Sequence, residues 1–256
     1  MDRVTLGGMQ TNNDTEEFSF TNIKNMEIES IDADIRIRQE KDNDERIEVV
    51  LEGNKIDTIN VEPVGDSLFI VQDTNRDVTN LLRNVTVNIT IYADGNWVDS
   101  ILISSTSATI DIQNVYTDYL NVSNMSGDIN ISGSSSSTLV SVNYSGITNF
   151  SDVSSNEIFA KSLNGAIRFE DVVCEILESN TVRGNQILQF NELDEADLTI
   201  KSISGNIDLI FSGMQEINNT NSANVRGDFE FDSNSTNTLN VGSSGIITVN
   251  RNASDK

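Results

Sequence analysis

The sequence predicts an all-β chain folded as a parallel β-solenoid, a β-helix-like stack with rungs of roughly 19–22 residues. Three observations carry this. Seven glycines (Gly127, Gly146, Gly165, Gly184, Gly205, Gly227 and Gly245) recur at steps of 19, 19, 19, 21, 22 and 18 residues. Around them, apolar residues recur at fixed offsets. No long helical period appears anywhere in the 256 residues.

In chain order, residues 1–17 and 251–256 are polar and expected to be disordered. Residues 18–250 are expected to form one domain, with N-terminal strands and a cap over 18–97 and regular repeats over 98–250. The first repeat is Met26, Ile28, Ile31, Ile35 and Ile37. The period then breaks between Gln39 and Asn96. Strand-like runs there are Ile47–Leu51, Ile59–Val61, Leu68–Ile70 and Val85–Ile91, the last in strict alternation. Turn signals separate them: Glu52-Gly53-Asn54, Pro63-Val64-Gly65-Asp66 and Ala93-Asp94-Gly95-Asn96. Residues 72–84 read as a loop or short helix. We expect these longer strands to begin the sheet and cap the solenoid's N-terminal end.

The regular repeats follow one template. In Leu120-Asn-Val122-Ser-Asn-Met125-Ser-Gly127-Asp-Ile129-Asn-Ile131, apolar residues occupy offsets 0, 2, 5, 9 and 11, with glycine at 7. Copies start at Ile101 and Ile158, and at Leu198 with Ile200, Ile203, Ile207 and Leu209. Ala33 and Ala108 take the glycine place in the first two units. Weaker copies start at Leu139, Leu177, Thr220 and Leu239. Over the eight full-length copies, 33 of 40 template positions are apolar, against roughly 15 from composition alone. Offsets 0 and 2, then 9 and 11, have the period of strands with one buried face. Glycine between them turns the chain. One such unit cannot bury its apolar row, but stacking at ~4.8 Å per rung gives each row a neighbour above and below. All five template positions, offset 5 included, are expected to face inward.

The series Ile31-Asp-Ala-Asp-Ile-Arg-Ile37, a strand pair, Val87-Asn-Ile-Thr-Ile91 and then serial Leu-x-Val-x-x-x-Ser-Gly-x-Ile units resembles the putative-adhesin family of bacterial and archaeal β-strand-repeat proteins, a domain of unknown function. The resemblance covers about residues 18–250. It implies a β-solenoid often tied to the cell envelope, and it brings no catalytic residues. The chain departs from the family in having Ala93-Asp94-Gly95 where a proline usually ends the strand before the repeats. The membrane anchor that many members carry is not expected here.

Composition limits the chemistry. There is no histidine, which removes Ser-His-Asp and Cys-His systems and His-liganded zinc. The net charge of −24 argues against nucleic-acid and anionic-membrane binding. No 18-residue apolar run exists, so no transmembrane segment is expected, and no signal peptide is expected before the domain. Cys174, the sole cysteine, lies among Val172, Val173 and Ile176 and reads as a buried structural thiol. The Ser-Gly steps fit neither phosphate-loop motif and read as turns. Asp42-Asn-Asp44-Glu45 and Asp194-Glu195-Ala-Asp197 do not match an EF-hand or calcium-roll repeat and read as polar loops. Trp97, Tyr92, Tyr116 and Tyr119 read as packing or capping near the first regular rungs.

No catalytic, cofactor-binding or metal residue is therefore assigned, and no cofactor is expected. Two functions compete. The first is a non-enzymatic surface or scaffold module that binds a protein, glycan or envelope component. Its place is the cell surface by resemblance, or the cytoplasm if the chain is native full length. The alternative is a carbohydrate-active β-solenoid enzyme. Its carboxylates would be Asp208 and Glu230, expected at offset 10 of adjacent rungs and about one strand spacing apart, near a retaining glycosidase pair. The last rung, with only a short stretch to Lys256 after Val249, is also expected to expose strand edges suited to self-association.

Overall fold

The computed structural model describes residues 14–41, 44–53, 56–73, 85–92, 98–190, 196–211, 226–231, 239–242 and 248–251, the last residues from 210 onward by backbone pairing alone. In chain order the strands are β1 (Asp14–Phe20), β2 (Asn25–Ser30), β3 (Asp34–Glu40), β4 (Arg46–Gly53), β5 (Ile59–Val64), β6 (Ser67–Gln72) and β7 (Val85–Tyr92). Then come β8 (Val98–Ser105), β9 (Ile110–Gln113), β10 (Tyr116–Asn124), β11 (Ile129–Ser132), β12 (Ser135–Asn143), β13 (Thr148–Ser151), β14 (Ser154–Ser162) and β15 (Ile167–Glu170). The series closes with β16 (Val173–Arg183), β17 (Gln186–Phe190), β18 (Asp197–Ser204), β19 (Ile207–Phe211), β20 (Arg226–Phe231), β21 (Leu239–Gly242) and β22 (Thr248–Arg251).

The chain is a parallel β-solenoid. Each rung has one longer strand and one shorter strand, and among the described residues the two kinds stack into two 11-stranded sheets. The longer strands form the sheet β22-β20-β18-β16-β14-β12-β10-β8-β2-β6-β5; the shorter ones run β3-β9-β11-β13-β15-β17-β19-β21 beyond β1-β4-β7. Register follows the repeat. Leu120 pairs with Ile101 and Leu139, and Val122 with Ile103 and Ser141. Ile129 pairs with Ile110 and Thr148, and Ile131 with Ile112 and Phe150. These side chains face between the sheets and make the core. Small and large residues offset one another within it. The rungs carrying Ser141 and Ala160 at offset 2 carry Phe150 and Phe169 at offset 11, and those rings stack at 4.8 Å and 5°.

The interruption between Gln39 and Asn96 builds the cap. Strands β2 and β3 lie directly against β8 and β9, with Met26 opposite Ile101 and Ile35 opposite Ile110. The intervening β4–β7 fold onto the other side of that first rung, β7 parallel to β3 and β6 parallel to β2, while β4 and β5 are antiparallel. Among the described residues, the edges at this end are β1 and β5. The first carries Asp14, Glu16 and Glu17, and the second holds Pro63, the sole proline, which has no N–H to donate. Both are features that blunt strand-to-strand aggregation.

Two corners close each rung. At the first, Gly127, Gly146, Gly165, Gly184 and Gly205 stack as expected. A Cβ built on any of them would overlap the carbonyl oxygen of the corner residue one rung before, from Ala108 to Gly184. At the second corner, Asn114, Gly133, Asp152 and Asp171 hold φ of 55°, 58°, 53° and 53°. Glycine, Asn and Asp are the residues that enter this left-handed region most readily.

Four expectations need correction. Residues 14–17 are not disordered, since β1 already pairs there with Val50–Gly53; residues 1–13 lie outside the described ones. The segment expected as a tail from 251 starts inside β22, and 252–256 lie outside the described residues. Offset 5 does not face inward: Leu198, Ile200, Ile207 and Leu209 are buried, but Ile203 is 52% exposed. The copies at Thr220 and Leu239 are out of register. Gly227 lies within β20 opposite Leu198, and Leu239 opens β21 opposite Ile207. Gly227 is therefore a strand residue, and Gly245, the turn around Trp97 and most of 72–84 lie outside the described residues.

Candidate binding surface

The first corner is where the strand period and the hydrophobic pattern part company. Inward positions continue as 0, 2 and 4 along the longer strand, so offset 4 is buried and offset 5 points out. Offset 4 carries Ser30, Ser105, Asn124, Asn143, Ser162, Thr181 and Ser202, each at most 8% exposed. Turning the chain leaves carbonyls aimed into this corner, and the polar side chains answer several of them. Asn124 Nδ2 donates to Ala108 O at 2.8 Å and Asn143 Nδ2 to Gly127 O at 3.0 Å, each reaching back one rung. The shorter Ser30 and Thr181 hydroxyls donate within their own rung, to Ala33 O at 3.0 Å and Gly184 O at 3.2 Å. Sequence reasoning passed over this row because it is polar. Its signal is a Ser, Asn or Thr always three residues before the glycine place.

Offset 5 becomes a ridge. Met125, Tyr144, Leu163 and Ile203 are 57%, 49%, 39% and 52% exposed, with half-buried Val182 between the last two. The corner bonds Met125 N–H to Ser105 O (3.0 Å), Tyr144 N–H to Asn124 O (2.9 Å) and Leu163 N–H to Asn143 O (3.2 Å) hold the ridge residues one above another. Five successive rungs at ~4.8 Å make an apolar line roughly 19 Å long between its end residues. A contiguous exposed apolar strip of this kind marks an interaction surface more than scattered single residues do.

The carboxylates of the enzyme reading do not meet. Asp208 is in β19, where its neighbour in the next rung is Asn240. Glu230 is in β20 of the other sheet, opposite Lys201. The one-spacing geometry of a retaining pair is absent because the chain between β19 and β20 is longer than the repeat allows. Asp42, Asp194 and Glu195 lie outside the described residues, and the described residues contain no group of three metal-binding side chains.

Other reactive groups are engaged in packing. Cys174 is buried in the column Thr117, Ser136, Ser155, and burial pushes its thiol up to about 12. Tyr92 lies under Arg46, whose guanidinium carbon is 3.9 Å from the ring centroid, and Arg46 Nε reaches Glu48 Oε1 at 3.0 Å. Burial, then the Glu48 and Glu40 carboxylates, raise the Tyr92 hydroxyl's pKa. Tyr119 accepts from Asn121 Nδ2 at 3.3 Å on the other sheet. Tyr92 and the pair Tyr116 and Tyr119 thus lie on different sheets and form no shared aromatic platform. A groove of about 140 Å³ between Glu27, Glu29, Leu102, Ser104, Asn121 and Ser123 is shallow, well below the ~300 Å³ at which ligand pockets begin. On the other outer face, Asn149 Nδ2 donates to Asn130 Oδ1 and Asn130 Nδ2 to Asp111 Oδ1, both at 2.7 Å, a side-chain ladder that ties rungs together.

The family model described as Toastrack DUF4097 matches residues 23–256. Among solved structures, a putative adhesin from Bacteroides fragilis NCTC 9343 is similar with a TM-score of 0.60 at 14% identity, over 91% of this chain and 98% of that one. A putative adhesin and a putative lipid binding protein, both from Parabacteroides distasonis ATCC 8503, have TM-scores of 0.48 and 0.44 at 11% and 14% identity. They cover 93% and 94% of this chain and 95% and 97% of theirs. At such identities the likeness is one of fold. No curated protein matches the chain in sequence. No helix among the described residues is long and apolar enough to cross a membrane.

Proposed function

The chain belongs to the Toastrack DUF4097 family, and from that premise we propose that it is a non-enzymatic, adhesin-like binding module acting at the cell surface or envelope. The observation that carries the reading is the division of labour in the repeat. Offsets 0, 2, 4, 9 and 11 and the corner glycines are consumed by stacking, while offset 5 presents Met125, Tyr144, Leu163 and Ile203 to solvent. A side-chain row that the fold does not use internally, repeated on successive rungs, is available for a partner. The adhesin name of the similar Bacteroides fragilis protein supports the same reading. The partner is a protein, glycan or lipid component of the envelope.

The test sets binding against turnover. Purified protein is incubated with isolated envelope fractions and, separately, with a panel of polysaccharides under hydrolase and lyase conditions. Retention on the envelope without product formation is expected. Turnover abolished by Asp208→Asn or Glu230→Gln would overturn the reading in favour of the enzyme.

A further inference from the structure

The net charge of −24 hides a segregation that appears only once the register is known. Between Leu139 and Leu209 the basic residues are Lys161, Arg168, Arg183 and Lys201. All four surround the glycine corner. Lys161 and Lys201 precede the ridge residues Leu163 and Ile203 by two, Arg183 follows Val182 as the last residue of β16, and Arg168 is on the outer face of β15 three residues after Gly165. Lys161, Arg168 and Arg183 are exposed, and no ion pair among the described residues engages them. Most acidic residues of the same rungs gather at the opposite corner, Asp152, Glu157, Glu170, Asp171 and Glu175, while Asp208 takes the place of Arg168 two rungs on. On the face between, Glu178 accepts from Asn180 Nδ2 at 2.8 Å. Below the ridge, Asp128 Oδ1 accepts the Ile147 N–H at 2.8 Å.

We propose that this corner docks on an anionic phospholipid bilayer, with Met125, Tyr144, Leu163 and Ile203 entering the headgroup boundary and Lys161, Arg168 and Arg183 meeting lipid phosphates. The ridge lies at the bend between two sheets, so it projects rather than recedes. A projecting line of apolar side chains with basic flanks suits a flat, deformable surface, and tyrosine is favoured at that depth. Each cation near an anionic leaflet adds about 1 kcal/mol, roughly fivefold in affinity. The acidic corner lies at the far end of the strands, about five residues and so roughly 17 Å away, beyond the ~8 Å screening length of physiological salt. Net charge therefore does not forbid the contact. The proposal rests on the envelope-binding reading and names its partner.

The experiment is vesicle co-sedimentation of the full chain at 0.15 M salt (roughly the physiological ionic strength), with phosphatidylglycerol–phosphatidylcholine vesicles against phosphatidylcholine alone. Binding to the anionic vesicles is expected, with a weakening of roughly 25-fold in the double variant Lys161→Gln/Arg183→Gln. Leu163→Ser/Ile203→Ser is expected to lose at least about tenfold, and Glu175→Gln on the opposite corner to leave binding unchanged. The substituted side chains are solvent-exposed, so circular dichroism should match the wild type. No anionic-vesicle binding, equal binding to both vesicles, or binding untouched by the double variants would overturn the proposal. A parallel pull-down on lipid-extracted envelope separates the two readings. Retention there without vesicle binding overturns the lipid docking but keeps the envelope module, whereas binding to neither overturns both.

Discussion

Replacing Gly165 by alanine isolates the steric part of the glycine ladder. The added Cβ would overlap Gly146 O and come within 2.8 Å of Gly146 C and 3.0 Å of Gly146 N. These are backbone atoms, so no rotamer change relieves the contact. The two rungs must part at the corner, where Leu163 N–H bonds Asn143 O at 3.2 Å and Asn164 N–H bonds Tyr144 O at 2.9 Å. Weakening two such bonds, one of them on a sequestered carbonyl, costs about 2–4 kcal/mol. Gly165 lies outside the left-handed φ region, so this cost contains no dihedral strain. Gly65 supplies the converse: φ is +66° and nothing lies within 4 Å of its would-be Cβ. Gly65→Ala should cost only the left-handed penalty, roughly 1–2 kcal/mol. Gly127→Ala, with φ of +111° and the clash with Ala108 together, should be the worst of the three. Urea unfolding followed by far-ultraviolet circular dichroism, read as a change in midpoint at constant slope, gives the order. Gly165→Ala within 0.5 kcal/mol (roughly the scatter of surface substitutions) of the wild type, or milder than Gly65→Ala, would refute the stacking account.

Three further outcomes follow from named contacts. Asn143→Ala removes the donor to Gly127 O and should cost about 1–3 kcal/mol in the same assay; Asn143→Thr should recover part of it, because Thr181 makes its corner bond within its own rung. Phe169→Ala removes one ring of the 4.8 Å stack and should destabilise by about 3–5 kcal/mol, whereas Phe169→Leu should retain most of the stability. Cys174 should resist alkylation in the folded protein at neutral pH. Its pKa is raised from 9.0 to about 12. Its contribution to stability is thus full below pH 9 and lost as pH climbs from there towards 12, at up to ~1.4 kcal/mol per pH unit. The stability difference between wild type and Cys174→Ala should therefore shift against the wild type across that window, as measured by unfolding at stepped pH.

Much of the fold is legible in the chain because its determinants are local. Two-residue alternation at offsets 0 and 2, then 9 and 11, dictates which side of a strand is apolar, and Met26, Ile28, Ile35 and Ile37 align with Ile101, Ile103, Ile110 and Ile112 despite a separation of 75 positions. Glycine at the corner is equally legible, since a stacked turn leaves no room for a Cβ. Cys174 is buried as read, although two of the neighbours that prompt the reading, Val173 and Ile176, are exposed; the alternation of the strand places the thiol inside.

Tertiary structure alone decided the rest. An apolar residue at offset 5 looks like a core residue when hydrophobicity is counted, yet the turn begins there and the strand phase sends Met125, Tyr144, Leu163 and Ile203 outward. Asn124 and Asn143 look like surface residues, yet they are inside, because a turning backbone aims carbonyls inward that only a buried donor can satisfy. The longer connection before β20 moves Glu230 to the other sheet, which no offset counted in the sequence reveals. The basic edge and the acidic edge are likewise invisible in a net charge of −24. Charge and exposure along a solenoid depend on which corner each residue reaches, and that is set by where the rungs stack.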